Sequence, residues 1–196
     1  MQEYWVPRET TFFEQEIKRS RFLTWIKPVS TIDEVDSCLQ NISTQHPDAR
    51  HVCWAYILGP PNSPIQKAND DGEPSGTAGK PILNVLQHSG CGDIIAVVAR
   101  YFGGIKLGAG GLVRAYSSST SQTLKVTPLS KKEVFINLTI DCDFAQESTL
   151  RHLLSLQKGE IQHVDYTDHS RLQITLPASK EHDFLTSLPN TIEIKI

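Results

Sequence analysis

Glycine is distributed very unevenly along the 196 residues of this chain. Eleven of its twelve glycines lie between Gly59 and Gly111, and five fall within the nine residues from Gly103 to Gly111. A helical pattern of residues 112–124 follows this cluster directly. Because glycine accepts positive φ and lets another backbone or a ligand approach closely, the cluster predicts either a tight strand-to-helix turn or an anion site.

The anion-binding interpretation depends on the helix that begins behind the glycines. The first amides of a helix have no partner within it and carry partial positive charge, so they bind phosphate readily. Five glycines in nine residues exceed what one turn requires. The alternative, in which the glycines serve packing alone, stays open at this point. The candidate phosphate-binding residues are Lys80, Arg100, Gly103, Gly104, Lys106, Gly108, Gly110, Gly111 and Arg114.

Composition narrows the class of protein. A chain with 39% apolar and 21% charged residues is expected to fold. No apolar stretch approaches the ~18–20 residues that span a bilayer, and the first residues lack a signal peptide's apolar run, so we expect a soluble cytoplasmic protein.

The net charge of −3 is not that of a basic nucleic-acid domain, so RNA binding would have to use a local patch. The four cysteines lie far apart, which favours reduced, buried thiols.

The first part of the chain predicts strands and helices that alternate. Thr31 and Glu34 fit a capping box at the start of a helix, and Ser75 or Thr77 is expected to cap another. Strands are expected at residues 11–17, 21–27, 51–58 and 91–102. Helices are expected at residues 31–46, 77–88 and 112–124.

The order of predicted strands and helices changes in the last part of the chain, and residues 126–132 are predicted to be a linker before it. Its elements follow the order β-α-β-β-α-β, which is the ferredoxin-like plan. The predicted strands are residues 133–140, 160–166, 171–176 and 191–196, and the predicted helices are residues 144–156 and 179–188. We therefore predict two domains of an α+β protein, residues 1–127 and residues 131–196.

The familiar nucleotide and metal motifs are absent. The first glycine of a Walker A loop is replaced by Pro74, and the third glycine of a dinucleotide fingerprint is replaced by Val113. Asp70, Asp71 and Glu73 could hold Mg²⁺, but their spacing is not that of an EF-hand, and a solvated acidic turn is favoured. The histidines and cysteines form no recognised ligand or nucleophile pattern. We predict no catalytic residue, no metal site and no cofactor.

Two long motifs resemble the signature pair of the IMPACT/YigZ family. They are DDGEPSGTAG, residues 70–79, and RYFGGIKLGAGGLVRAY, residues 100–116, and KRSRF at residues 18–22 resembles the start of that family. The resemblance covers roughly the first two thirds of the chain strongly and the remainder by pattern and order. It implies an N-terminal domain of the ribosomal protein S5 domain 2-like type, similar to the fourth domain of elongation factor G, and a tail similar to the fifth domain of that factor.

The resemblance also implies a role in translation, because those domains of the elongation factor act on the ribosome and the eukaryotic relatives regulate translation during amino-acid starvation. It transfers no catalytic residue. Our first hypothesis is a non-enzymatic RNA- or ribosome-binding module in which Lys80, Arg100, Lys106 and Arg114 meet phosphates. No membrane partner is expected.

Two other hypotheses belong to different classes. The second is a binder or enzyme for a phosphorylated small molecule or nucleotide, with Asp70, Asp71 or Glu73 serving a metal. Residues 108–119 are loosely similar to the phosphate-binding loops of small-molecule kinases of the galactokinase and homoserine kinase type. The third is a module that docks a protein partner, for example in translation control, on the open sheet face of the C-terminal domain.

Overall fold

The structure is a computed structural model that describes residues 3–63, 65–189 and 192–195. The chain divides into two compact units, with the boundary between Lys131 and Lys132. We call Tyr4–Lys131 the N-terminal unit, and we call the described residues after Lys131, together with Glu3, the C-terminal unit. Each unit combines helices with antiparallel strands, so the mixed α and β composition predicted from the sequence is confirmed.

The N-terminal unit is built around a five-stranded antiparallel sheet of order β2-β3-β6-β4-β5, and β1 and β7 form a separate two-stranded sheet. The strands are β1 (Glu3–Pro7), β2 (Thr11–Ile17), β3 (Ser20–Pro28), β4 (His51–Ile57), β5 (Gln66–Asn69), β6 (Ile94–Tyr101) and β7 (Leu129–Glu133). The helices are α1 (Ile32–Gln45), α2 (Gly79–His88) and α3 (Ala109–Val126).

Helices cover both faces of the five-stranded sheet, and β6 shows why. Its residues Ile94, Ala96 and Val98 pack in one cluster with apolar residues of α2 and α3. The alternate residues Ile95 and Val97 pack in another cluster with residues of α1. Because successive strand residues point to opposite faces, a strand that is covered on both faces must be apolar throughout. The continuous apolar run seen in the sequence is thereby explained.

The helix start predicted at α1 is confirmed with Thr31 as the N-cap residue, but the Glu34 side chain accepts from Ser30 rather than from Thr31, so the predicted capping box is formed only in part. Thr31 Oγ1 accepts a hydrogen bond from the amide of Glu34 at 3.2 Å. The Glu34 carboxylate in turn accepts from the amide of Ser30 at 2.6 Å. These contacts satisfy two donors at the beginning of the helix.

The boundary between the two units falls within the predicted linker at residues 126–132, but this segment is not an irregular connection. Val126 is the last residue of α3, and the chain enters β7 at Leu129. Strands β1, β5 and β7 were all missed because they are short: β5 and β7 are also largely exposed, and β1 buries Tyr4 and Pro7 but has only five residues. Backbone pairing with a neighbouring strand, which a linear pattern does not reveal, forms them.

The C-terminal unit has the predicted element order β-α-β-β-α-β, and its sheet has the order β11-β8-β10-β9 with antiparallel neighbours. A short 3-10 turn (Ala178–Lys180) precedes its second helix. Of the predicted closing strand, residues 191 and 196 lie outside the described residues. The elements are β8 (Phe135–Cys142), α4 (Phe144–Leu156), β9 (Glu160–Tyr166), β10 (Ser170–Pro177), α5 (Glu181–Ser187) and β11 (Glu193–Lys195).

One apolar core holds this sheet and its helices together. Ile140, Leu150, Leu172 and Phe184 are fully buried within it. Helix α4 begins at a capping box formed by Asp143 and Gln146. Burial of one face of each element, with a capped helix start, accounts for the close match between predicted and observed bounds in this unit.

Candidate anion-binding site

The glycine cluster connects β6 to α3, and Gly103 within it is required for packing. A Cβ at this position would lie 1.9 Å from the carbonyl oxygen of Arg19, where no side chain fits. The amide of Gly103 donates to Ser20 Oγ at 3.2 Å. This N–H is therefore used inside the protein, and close packing is sufficient to explain the glycine.

Gly108 occupies the residue immediately before α3 and has a different role. Its φ of +71° lies in a region that L side chains rarely adopt. No side chain caps α3, so no capping side chain satisfies the first amides of the helix. Ala109 and Gly110, the first two residues of the helix, are exposed. The helix start is thus accessible to an anion.

Gly110 has no packing requirement of its own. A Cβ there would approach only the Nη1 atom of Arg114, at 3.8 Å. Glycine in a helix is less favourable than alanine by about 0.5–1 kcal/mol, so its presence without a packing reason suits a backbone that a ligand approaches. Gly111 packs against Leu107, and Gly104 lies in the loop with open space around its Cα.

A cavity of about 480 Å³ opens at the start of α3. The structure brings three of the predicted site residues to its lining: Arg100, Lys106 and Gly108. Arg50 and His51 line the same cavity and were not indicated by the sequence. The lining therefore carries three permanent cations beside an uncapped helix N-terminus.

The other two candidate cations do not line the cavity. Lys80 is exposed in the first turn of α2. Arg114 is exposed on α3, where its guanidinium group lies close to Gly110. Lys80 therefore provides a charged residue of the same unit that can be altered without touching the cavity wall.

Strand pairing explains how Arg50 and His51 reach the site. The amide of Arg50 donates to the carbonyl oxygen of Arg100 at 3.0 Å, and His51 is the register partner of Arg100 across β4 and β6. His51 Nδ1 lies 2.7 Å from the carbonyl oxygen of Asp71, which can only accept, so this nitrogen carries a proton. In the sequence, Arg50 and His51 stand at the start of an apolar run, and this position does not indicate which strand lies beside them.

The Arg100 side chain is buried in an ion pair at the cavity. Its Nη1 donates to Glu73 Oε1 at 2.6 Å, and the side chains of Arg100 and Glu73 are 6% and 3% exposed. The Tyr116 hydroxyl donates to the same carboxylate oxygen at 2.8 Å. Burial raises the pKa of Tyr116 above its ordinary value, which keeps this hydroxyl neutral and able to donate.

One donor of Arg100 is left over. Its Nε atom is buried and has no hydrogen-bond partner among the residues that the structure describes. A buried donor without a partner costs about 1–3 kcal/mol, so such atoms are uncommon in folded proteins. Arg100 is thus a buried cation of the cavity lining whose hydrogen-bonding capacity is not fully used by the described residues.

In the acidic turn before α2, Asp71 is exposed as the sequence predicts, whereas Asp70 and Glu73 are held within the protein, which corrects the prediction for these two residues. The Asp70 carboxylate accepts hydrogen bonds at 2.8–2.9 Å from the amides of Gly76, Ala78 and Gly79. Burial of Asp70 opposes its ionisation, but these backbone donors outweigh that effect and lower the pKa of the carboxyl group. Glu73 is buried in its ion pair. Both carboxylates are thus engaged within the protein and are not open ligands for Mg²⁺.

The expected cap at Ser75 or Thr77 is also wrong. The residue before α2 is Ala78, and Thr77 Oγ1 donates to the carbonyl oxygen of Pro74. Asp70 takes the capping role from outside the helix. Across the described ranges, no group of three or more His, Cys, Asp or Glu side chains is arranged to hold a metal ion.

The cysteines match their prediction. All four are buried and free. Burial raises the pKa of the Cys53 thiol to about 12, so it remains protonated and is a poor nucleophile. Among the described residues, no helix combines the length and the hydrophobicity needed to cross a membrane.

Comparison with known proteins identifies proteins that are similar to this chain in sequence and in structure. Residues 18–124 match the Impact N-terminal domain. An IMPACT family member of Haemophilus influenzae is 44% identical over 82% of this chain and 79% of its own length, and the IMPACT family member YigZ of Escherichia coli is 38% identical over 96% and 93%. A crystal structure of a hypothetical protein is similar over 99% of this chain and 97% of its own, with 36% identity and a TM-score of 0.76. The chain therefore belongs to the IMPACT family.

Proposed function

We propose that this protein is a non-enzymatic RNA- or ribosome-binding module that acts in translation or in its regulation. The observation that carries the proposal is the meeting of the uncapped start of α3 with the buried Arg100 in one cavity. Phosphate groups are the ligand class that both features favour, since helix N-termini and guanidinium groups bind phosphate oxygens.

The charges of the cavity support an anionic ligand. Arg50, Arg100 and Lys106 bring three positive charges to the lining, and Glu73 brings one negative charge that the Arg100 ion pair neutralises in part. The N-terminus of α3 adds about half a positive charge. Because the whole chain carries a net charge of −3, binding at this local patch is expected to be modest and strongly salt-dependent.

The assignment of the fold supports the ribosomal part of the proposal. We propose that residues 1–127 form a ribosomal protein S5 domain 2-like domain and residues 131–196 a ferredoxin-like domain. The sheet order β11-β8-β10-β9, with its β-α-β-β-α-β connections, supports the second assignment. The pair resembles the fourth and fifth domains of elongation factor G, which act on the ribosome, and a cytoplasmic location would follow from that role.

The test is co-sedimentation of the full chain with ribosomes across a series of salt concentrations. With three cationic contacts at about −0.7 each, log K should fall with log salt at a slope of roughly −2. Lys106→Glu should weaken binding by about tenfold or more and make the slope shallower, because it removes one contact and adds a repulsive charge.

Two further variants make the result specific to the cavity. Lys80→Glu applies the same charge change to an exposed lysine that does not line the cavity, and it should bind as the wild type does. Gly110→Ala should weaken binding, because it adds a methyl group at the exposed start of α3. It should not lower the stability, because this Cβ meets only Arg114, at 3.8 Å. Equal binding by Lys106→Glu and wild type, or an equal loss in Lys80→Glu, would overturn the proposal.

A further inference from the structure

The cavity has an aromatic residue in its lining that the phosphate role does not use. Phe102 follows β6 and is 43% exposed. The Arg100 guanidinium carbon lies 5.6 Å from the centroid of the Phe102 ring. A half-exposed phenyl ring held beside a cation is a surface on which a flat, π-bonded group can stack.

We infer that the cavity receives one unpaired nucleotide, with its phosphate at the start of α3 and its base stacked on Phe102. The inference rests on the proposed function and names the ligand class of the same site. Single-stranded nucleic acid is bound by this combination of a cationic groove and aromatic side chains, because every base has a face that can stack.

The shape of the site favours an unpaired nucleotide over a duplex. A volume of about 480 Å³ falls within the range of cavities that enclose a small ligand. A duplex keeps its bases paired and stacked and is bound along its grooves and backbone, so it offers no free base to a concave site. An unpaired nucleotide can place its base and its phosphate in the cavity together.

The cations Arg100 and Lys106 line the same cavity as the Phe102 ring, so the phosphate and the base of one nucleotide can be bound there together. Arg100 lies next to both: its guanidinium carbon is 5.6 Å from the centroid of the Phe102 ring, and it lines the same cavity as Gly108 at the start of α3. Lys106 follows Phe102 in the same loop, and Gly108 follows Lys106 before the helix begins. A phosphate bound at the helix start would therefore lie within the same short loop as the ring that stacks the base.

The experiment measures binding of the full chain to a fluorescent single-stranded RNA of about eight nucleotides and to the same strand annealed to its complement. Wild type should bind the single strand more tightly than the duplex. Phe102→Ala should weaken single-strand binding by about fivefold or more and leave duplex binding unchanged, since stacking on an aromatic side chain is lost for one base. Phe102→Tyr, which keeps a ring, should restore it.

The control is Phe135→Ala, which removes another half-exposed phenylalanine, 53% exposed, from β8. It should bind both RNAs as wild type does. If Phe102→Ala binds the single strand as wild type does while Lys106→Glu does not, the inference is overturned and the proposed function stands. If wild type prefers the duplex, the inference is likewise overturned.

Adenosine monophosphate separates a free nucleotide from an RNA strand as the source of the ligand. A rise in melting temperature with this nucleotide that is lost in Phe102→Ala, in a protein that binds neither RNA nor ribosomes, would support the nucleotide site and overturn the proposed function. Absence of binding to RNA, ribosomes and the nucleotide would overturn both.

Discussion

Helices α2 and α3 both begin after loops rich in glycine and small residues, yet their first turns are satisfied in different ways. At α2, the Asp70 carboxylate folds back and accepts from the amides of Gly76, Ala78 and Gly79. At α3, the preceding residue is Gly108 and no side chain caps the helix. One helix start is thus occupied by the protein's own anion, whereas the other is available to an anion from outside.

This difference shows that a glycine-rich loop before a helix does not by itself identify a binding site. Both loops place glycines before a helix, and each has a lysine among the candidate phosphate-binding residues, Lys80 at α2 and Lys106 at α3. What separates them is a carboxylate several residues upstream in one loop and a cavity with cationic side chains in the other. A helix N-terminus attracts an anion in either case, and the protein supplies that anion only at α2.

The largest expected effect comes from removal of the internal anion at α2. Asp70→Ala should lower the free energy of unfolding by about 2–3 kcal/mol, because the buried amides of Ala78 and Gly79 lose their acceptor. Denaturant unfolding measures this loss. Asp36→Ala, which removes an exposed carboxylate of α1, should change the stability by less than about 0.5 kcal/mol, and equal losses in the two variants would contradict the assignment.

A carboxylate placed at the start of α3 should make this helix resemble α2. Ala109→Asp is expected to stabilise the fold slightly, by about 0.3–1 kcal/mol, because a negative charge in the first turn favours the helix dipole. The same variant should weaken RNA or ribosome binding by about tenfold, since it fills the site and repels phosphate. A variant that is more stable than wild type and binds more weakly would support an open anion site at the start of α3.

The neutral variant Ala109→Asn separates charge from size in this test. It has nearly the shape of aspartate without its charge, so it should retain more binding than Ala109→Asp at low salt. Equal losses in the two variants would show that the added side chain, rather than its charge, blocks the site, and the comparison between the two helices would then lose its electrostatic basis.

The smallest expected effect is the acid dependence of the α2 cap. The pKa of Asp70 is lowered from its ordinary 3.8, so the ionised carboxylate is bound more strongly in the folded state. Its contribution to stability is fully present above about pH 4 and is lost as the pH falls through the folded pKa. The stability difference between wild type and Asp70→Asn should therefore shrink in acid, and a difference that stays constant from neutral pH to strong acid would contradict this role.

The sequence predicted elements best where one residue pattern reports burial directly. The apolar run of β6 and the capping residue Thr31 led to the correct element types and nearly correct bounds. The sequence prediction failed at β5 and β7, which are short, mostly polar and largely exposed. Such strands lack the apolar alternation of a half-buried strand, so only pairing with a neighbouring strand identifies them.

The sequence predicted only those residues of the candidate site that lie close together in the chain. Lys106 and Gly108 belong to one loop, so their proximity follows from the chain itself. Arg50 reaches the site only because β4 pairs with β6, and Glu73 was assigned to solvent because nothing in its own loop indicated the buried Arg100. Long-range pairing of charges is not encoded in local spacing.

By itself, the sequence determined the family, the alternation of elements, and a helix that starts behind a cluster of glycines. Only the tertiary structure decided which helix start is closed and which is open, because that depends on where Asp70 and Arg100 lie after the strands have paired. The physical reason is one of range. Backbone preference and periodicity act between neighbours in the chain, whereas the field at a binding site is the sum over groups that only folding brings together.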